Sequence, residues 1–257
     1  MEDLYYRFDD EKIITPPKEI VFSKDKIPSR NIKIDFSNSR LQVIVKLANI
    51  VLSPENSKYN GGVWHIEGME NEKIVATGIY YYSNENVTES CLGFRVQISE
   101  PDYEQNDATY VKEAFSLADE DPLNQYLGKV DTLGGRCLVF PNIYQHKVQP
   151  FELADKSRPG HRKILCFFLI DPTRRILSTA NIPPQQREWV DPEGSKSTGA
   201  KSVLQNQTSL DPLSRSDFPI DFETAKAHRK QLMDERKFFV NTVNEKVFER
   251  PFSLCEH

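Results

Sequence analysis

Apolar and polar residues alternate along much of this chain with a period of two, the spacing of strands that bury one face. Residues 32–36 (IKIDF) follow that pattern. Residues 41–52 (LQVIVKLANIVL) are long enough for a helix, but their Val and Ile content and the Ser53-Pro54 that follows favour a strand. Residues 73–82 (KIVATGIYYY) set Thr77, Ile79 and Tyr81 on one side and Tyr80 and Tyr82 on the other. Residues 92–98 align Phe94, Val96 and Ile98. Residues 134–140 (GGRCLVF) enter a strand through paired glycines, Pro141-Asn142 breaks it, and a strand at 144–148 carries His146. Residues 161–170 are the clearest buried strand, stopped by Asp171-Pro172. Shorter extended pieces are expected at 19–22 and 176–180, and a loop over 101–124 with a helical turn at 113–117.

A helical period appears only from about Asp221. There Phe222, Ala225, Leu232, Phe239, Val243 and Val247 recur at helical spacing opposite Lys, Arg and Glu, and Pro251 closes the run. Residues 191–217 are rich in Ser, Gly and Lys without periodicity and read as a flexible linker. The expected organisation is a lead-in over 1–40, a β domain over 41–190, the linker, and a C-terminal helix over 218–257 docking on the core. Many short strands separated by turns make the fold mainly β, a sandwich or barrel.

Composition narrows the function. The 257 residues are 38% apolar and 28% charged, enough for one large domain with a polar surface. The net charge of −5 is spread along the chain, with no basic patch for nucleic acid or membrane lipid. The first residues lack the apolar core of a signal peptide, and no run reaches the roughly 18 apolar residues of a membrane span. Cys91, Cys137, Cys166 and Cys255 lie far apart without CxxC spacing, which disfavours a zinc ribbon or redox pair and suits free thiols in an intracellular, reducing compartment.

The candidate chemistry lies in residues 61–68 (GGVWHIEG). In an extended chain His65 and Glu67 point to the same side, and an imidazole and a carboxylate are two of the three ligands of a non-haem Fe(II) site. Of the other histidines, His228 sits on the polar helix and His257 ends the chain. His161 is out of phase with Arg162, Ile164, Cys166 and Phe168; if that set faces inward, His161 faces outward. His146 is therefore the third candidate ligand. Trp64, next to His65, is expected to pack rather than to contact substrate. Asn71 and Glu72 are candidate supports for the ligands, although a solvated turn suits them better. Arg136 has no assigned role.

The order His65-x-Glu67, then Gly135-x-x-Leu138-x-Phe140 leading to His146-x-Val148, then Arg162 opening an apolar strand, resembles the double-stranded β-helix (jelly-roll, cupin-like) of Fe(II)/2-oxoglutarate-dependent dioxygenases over roughly residues 40–180. Residues 64–72, 74–82, 160–165 and 178–186 are similar to a mostly fungal family, domain of unknown function 4246. The resemblance implies Fe(II) held by His65, Glu67 and His146, with 2-oxoglutarate as co-substrate. Its far carboxylate would meet a cation, for which Arg162 is the candidate and Arg158 the rival. Tyr80 or Tyr82 would add a hydroxyl if their side lines the barrel, with Thr77 a weaker choice. It also implies O₂ and an unknown organic substrate, oxidative decarboxylation of 2-oxoglutarate, and no nucleic-acid or membrane partner. Two departures stand out: most of that superfamily has Asp where Glu67 stands, and the 16 residues from His146 to Arg162 are a long spacing. A cupin-like metal enzyme without 2-oxoglutarate and an inactive binding module are the alternatives.

Overall fold

Residues 35–104, 107–190 and 219–254 are described by a computed structural model. The strand expected at 19–22, most of that at 32–36, the linker, Cys255 and His257 lie outside these residues. Two antiparallel sheets face each other. The larger runs β1-β9-β3-β6, with β1 at Val43–Leu52, β3 at Ile74–Glu85, β6 at Cys137–Pro141 and β9 at Gly160–Ile170. The smaller runs β5-β4-β7, with β4 at Cys91–Gln97, β5 at Asn124–Asp131 and β7 at Gln145–Val148. A short pair, β2 (Lys58–Tyr59) and β8 (Phe151–Glu152), closes one end. This is a double-stranded β-helix.

The period of two sets which side chains meet. In β9 the even residues Arg162, Cys166, Phe168 and Ile170 are buried. Antiparallel pairing places Cys166 opposite Ile79 of β3 and Lys46 of β1. Ile79, Tyr81, Leu92, Phe140, Cys166 and Phe168 form the central core between the sheets. A second cluster, Leu52, Phe151 and Leu153, closes the end near the start of β9.

Two expectations are corrected. The stretch before β5 contains a true helix, α1, at Ala108–Phe115, capped by Asp107, which accepts a hydrogen bond from the Tyr110 amide. The expected turn at 113–117 is only its end. Residues 176–180 do not form a strand. The sequence pattern also missed β5, whose polar run is interrupted by Gly128 at φ 108°, next to a register shift in its pairing with β4. A short helix, α2, follows at Arg187–Val190.

The long helix α3 spans Phe222–Val243, begins on the Asp221 cap and continues as a π turn over Asn244–Phe248. None of its α-helical residues is fully buried. Its anchor is the tail that follows, where Phe252 packs with Val111, Leu117 and Leu123 in a third cluster. Burying a phenylalanine of this kind is worth about 1.5–3 kcal/mol. No helix among the described residues is long and apolar enough to cross a membrane.

Candidate metal centre

The segment after β2 does not form a strand of its own, yet it pairs with β7. Gly62 N–H donates to the Val148 carbonyl (2.9 Å), His65 N–H to His146 O (3.2 Å) and His146 N–H to His65 O (3.0 Å). His65 and His146 are thus direct cross-strand partners, with ring centroids 4.4 Å apart. Glu67, two residues on, points to the same side. Its Oε1 lies 3.3 Å from His146 Nε2 and 3.7 Å from His65 Nε2. Adjacent donors on a metal with bonds of about 2.1 Å lie about 3 Å apart, so the three atoms fit a common ion after a small contraction.

The orientation of the His65 ring suits that use. His65 Nδ1 lies 2.8 Å from the Val63 carbonyl; donating there leaves Nε2, whose proton Glu67 helps hold, as the atom a metal would take on displacing that proton. His146 is 3% exposed, against Phe94 and Phe140. Burial lowers its pKa, so it rests as a neutral imidazole. Burial also disfavours a charged His65, but hydrogen bonding to Glu67 and its charge outweigh that and raise the pKa. For Glu67, burial pushes the pKa up, and hydrogen bonds to His146 and His65 more than reverse it, holding the carboxylate ionised far below its usual range.

Asn142, at the break after β6, clamps the ligand segment. Its Oδ1 accepts from Glu67 N–H (2.9 Å), and its Nδ2 donates to the carbonyls of Glu67 (2.9 Å) and Ile74 (3.1 Å). Asn142→Ala is expected to cost about 1–3 kcal/mol through unpaired groups and to weaken metal binding about 10- to 100-fold. Thermal melting and a metal titration check both. Asn142→Asp is expected to fail likewise, because a carboxylate cannot donate to the two carbonyls.

Arg162 is 2% exposed and lies on the interior face, its guanidinium 4.8 Å from the Tyr81 ring centre. Among the described residues no carboxylate pairs with it. Its Nε, the Tyr81 hydroxyl and Thr77 Oγ1 are buried without hydrogen-bond partners. Burial pushes the Tyr81 phenol up to about 12 against the pull of Arg162, so it stays neutral. Cys166 stands two inward positions further along β9, within the field of Glu67, and burial lifts its thiol to about 11.

The tyrosine expectation is corrected. Tyr80 and Tyr82 are 39% and 42% exposed and lie on the outer face of the larger sheet, where Tyr82 donates to Asn49. The interior position between them is Tyr81. Arg158 is bound to Asp155 in an exposed loop (2.9 Å) and does not reach the interior. His161 faces away from the core, 2.7 Å from the Ser83 hydroxyl. Trp64 packs between the Arg95 guanidinium and Lys147 ammonium, 4.8 and 4.9 Å from its ring centre. Glu72 accepts from Met69 N–H (2.8 Å) and from Arg236 of α3 (2.5 Å). Lys46, opposite Cys166 and close enough to influence His65, went unnoticed in the sequence; the alternation of β1 around it was the available signal.

The fold and the clustered donors define a cupin-like double-stranded β-helix with one candidate His-Glu-His site in its interior. The chain belongs to the family described as Protein of unknown function (DUF4246), which matches residues 2–193. Among solved structures, it is similar to the Fe(II)/(alpha)ketoglutarate-dependent dioxygenase TqaL at 17% identity, covering 60% of this chain and 49% of that one, with a TM-score of 0.34. The chain thus spans about half of that protein. Hydroquinone 1,2-dioxygenase PnpCD aligns at 15% identity over 55% of this chain and 64% of its own, with a TM-score of 0.26. A cupin protein from Bacteroides fragilis aligns at 9% identity over 60% of this chain and 97% of its own, with a TM-score of 0.23. No curated protein sequence matches the chain.

Proposed function

We propose that the protein is an Fe(II)- and 2-oxoglutarate-dependent dioxygenase that oxidises a small organic substrate with O₂. The observation that carries this reading is a buried arginine, beside Tyr81 and with no carboxylate partner among the described residues, sharing one interior with three convergent metal-type donors. Buried polar groups are nearly always paired, and a buried charge without a partner is costly. The unpartnered Arg162 Nε, Tyr81 hydroxyl and Thr77 hydroxyl therefore fit an anion that the protein itself does not supply. A dicarboxylate with one end at the His-Glu-His cluster and the other at Arg162 answers both needs. Arg suits the second end because its planar fork gives two parallel charge-assisted hydrogen bonds.

In this reading His65 and His146 offer neutral Nε2 atoms and Glu67 an anionic oxygen, together one face of a metal's coordination sphere. Fe(II) with 2-oxoglutarate, when bound, would supply the O₂-dependent oxidising chemistry, with succinate and CO₂ as co-products. Arg162 fixes the co-substrate's direction, helped by the neutral Tyr81 phenol. Cys166, held as a thiol, adds no competing negative charge beside the cluster. Phe94 and Phe140 shield His146 from water. Residues 41–190 would form the catalytic domain and 218–257 a helix docked on it.

The test is an anaerobic titration with Fe(II) and then 2-oxoglutarate, followed by succinate release in air. A charge-transfer absorption band that needs both additions and disappears in His65→Ala supports the proposal. Metal binding indifferent to 2-oxoglutarate makes the protein a cupin-like metal enzyme of another kind, and no metal binding makes it a binding module.

A further inference from the structure

A cavity of about 340 Å³ opens beside the carboxylate side of the His-Glu-His cluster. Glu67 is both a member of the cluster and a wall of this cavity, whereas His65 and His146 do not line it, so the cavity meets the cluster on the Glu67 side alone. Ile66, Met69, Ile74, Val75 and Phe239 make most of the lining apolar. Small-molecule sites span roughly 300–1,000 Å³ and combine apolar walls with a few polar groups. This one is at the lower end, with Glu70, Lys73, Asn142 and Asp171 as its polar edge. One wall is tightly built: Gly68 has φ +75°, and a Cβ there would lie 2.6 Å from Ile74 Cδ1.

Phe239 comes from α3, beyond the part of the chain that the family match covers. It also borders the gap where Val240 and Val243 cover His65. Its place is set from both sides. Arg236, one turn earlier, binds Glu72 at 2.5 Å. Asn244, after it, donates to the Trp64 carbonyl at 2.9 Å and accepts from Gln145, the neighbour of His146. Gln145 in turn accepts from Arg95 at 2.6 Å, and Arg95 binds Glu249 at 2.8 Å. The helix is thus tied to the ligand segment on both sides, through the Glu72 side chain and the Trp64 carbonyl, and Phe239 lines the cavity between those ties.

We propose that this cavity is the substrate pocket of the metal centre, that it takes a small molecule with an apolar body, and that Phe239 determines the size accepted. The proposal rests on the dioxygenase reading and adds the substrate class and a specificity residue from the C-terminal helix.

The test uses the full chain loaded with Mn(II), indole as an apolar probe and glycerol as a polar control. Bound Mn(II) shortens the NMR relaxation times of protons held near it. Indole is expected to relax strongly in the wild type and glycerol not. Phe239→Trp is expected to weaken the indole effect at least about tenfold by filling the cavity, with Mn(II) affinity retained. Val75→Trp fills the same space from a lining residue of β3 and gives the same result if the helix variant folds poorly. Indole relaxation unchanged in both variants, or absent in a wild type that binds Mn(II), overturns the pocket while leaving the metal centre standing. Failure to bind Mn(II) at all removes the metal centre, and the pocket falls with it.

Discussion

Alanine at Glu67 is expected to reduce metal affinity by more than the 10- to 100-fold that loss of a residue supporting a ligand typically costs. Glu67 is the anionic member of the cluster, and its oxygen faces both imidazoles at 3.3 and 3.7 Å. Without it, two neutral donors remain and nothing offsets the charge of a divalent ion in a buried site. The measurement is a metal titration by calorimetry at fixed pH. Wild-type affinity is expected to rise with pH, because the metal must displace the proton that Glu67 helps hold on His65, whose pKa is raised. In Glu67→Gln that dependence moves to lower pH, since the charge that raised His65 is gone. For the metal-free fold the sign is different. The depressed Glu67 pKa adds stability that is present above its unfolded value near 4.5 and is lost as pH falls through the folded value. Affinity in Glu67→Ala equal to wild type would remove Glu67 from the ligand set.

Methionine at Arg162 is expected to separate two properties that usually fall together. The guanidinium is buried, lies over Tyr81 and has no carboxylate partner among the described residues. Replacing even a paired buried ion by a well-packed apolar residue is often neutral, or stabilising by about 1–4 kcal/mol. Metal-free Arg162→Met should therefore melt at the wild-type temperature or above. Its affinity for 2-oxoglutarate should drop by the about 2–5 kcal/mol that loss of one partner of a buried charge pair costs, roughly 30- to 5,000-fold. Metal affinity should be unaffected. Thermal melts and the charge-transfer titration read the two effects separately. Unchanged 2-oxoglutarate affinity would take the anchoring role from Arg162 and make the exposed Lys46, opposite Cys166, the next cation to test.

β3 and β9 could be read from the sequence because their alternation is the trace of the core itself, whereas β1, mostly exposed or half-buried, was read from its Val and Ile content and the Ser53-Pro54 that follows. β5 was not, because its polar run and Gly128 break that trace while the backbone still pairs with β4. In β3 the alternation grouped Thr77, Ile79 and Tyr81 against Tyr80 and Tyr82, but periodicity has no sign. Which group faces inward is decided by the partner strand, where Tyr81 pairs with Ile164. The same limit holds for the helix. Its period was visible, but its contacts are not local: Arg236 reaches Glu72 and Asn244 reaches Trp64 across 164 and 180 residues. The cluster itself was legible because His65 and Glu67 share a side at two-residue spacing and His146 was the remaining inward candidate. Asn142 was visible only as a strand breaker.

The paired amides of His65 and His146 make the spacing of their rings a property of the sheet ladder rather than of side-chain packing. Such a register is discrete. A slip of one residue would put Trp64 or Ile66 opposite His146 and turn Glu67 to the other face. Loss of that pairing is therefore all-or-none, unlike the loss of a ligand or of the Asn142 clamp. Damage to the pairing between the ligand segment and β7 should appear as a smaller fraction of molecules able to load metal, each with full affinity, so the stoichiometry of loading, rather than its strength, becomes the gauge of how well the chain is folded.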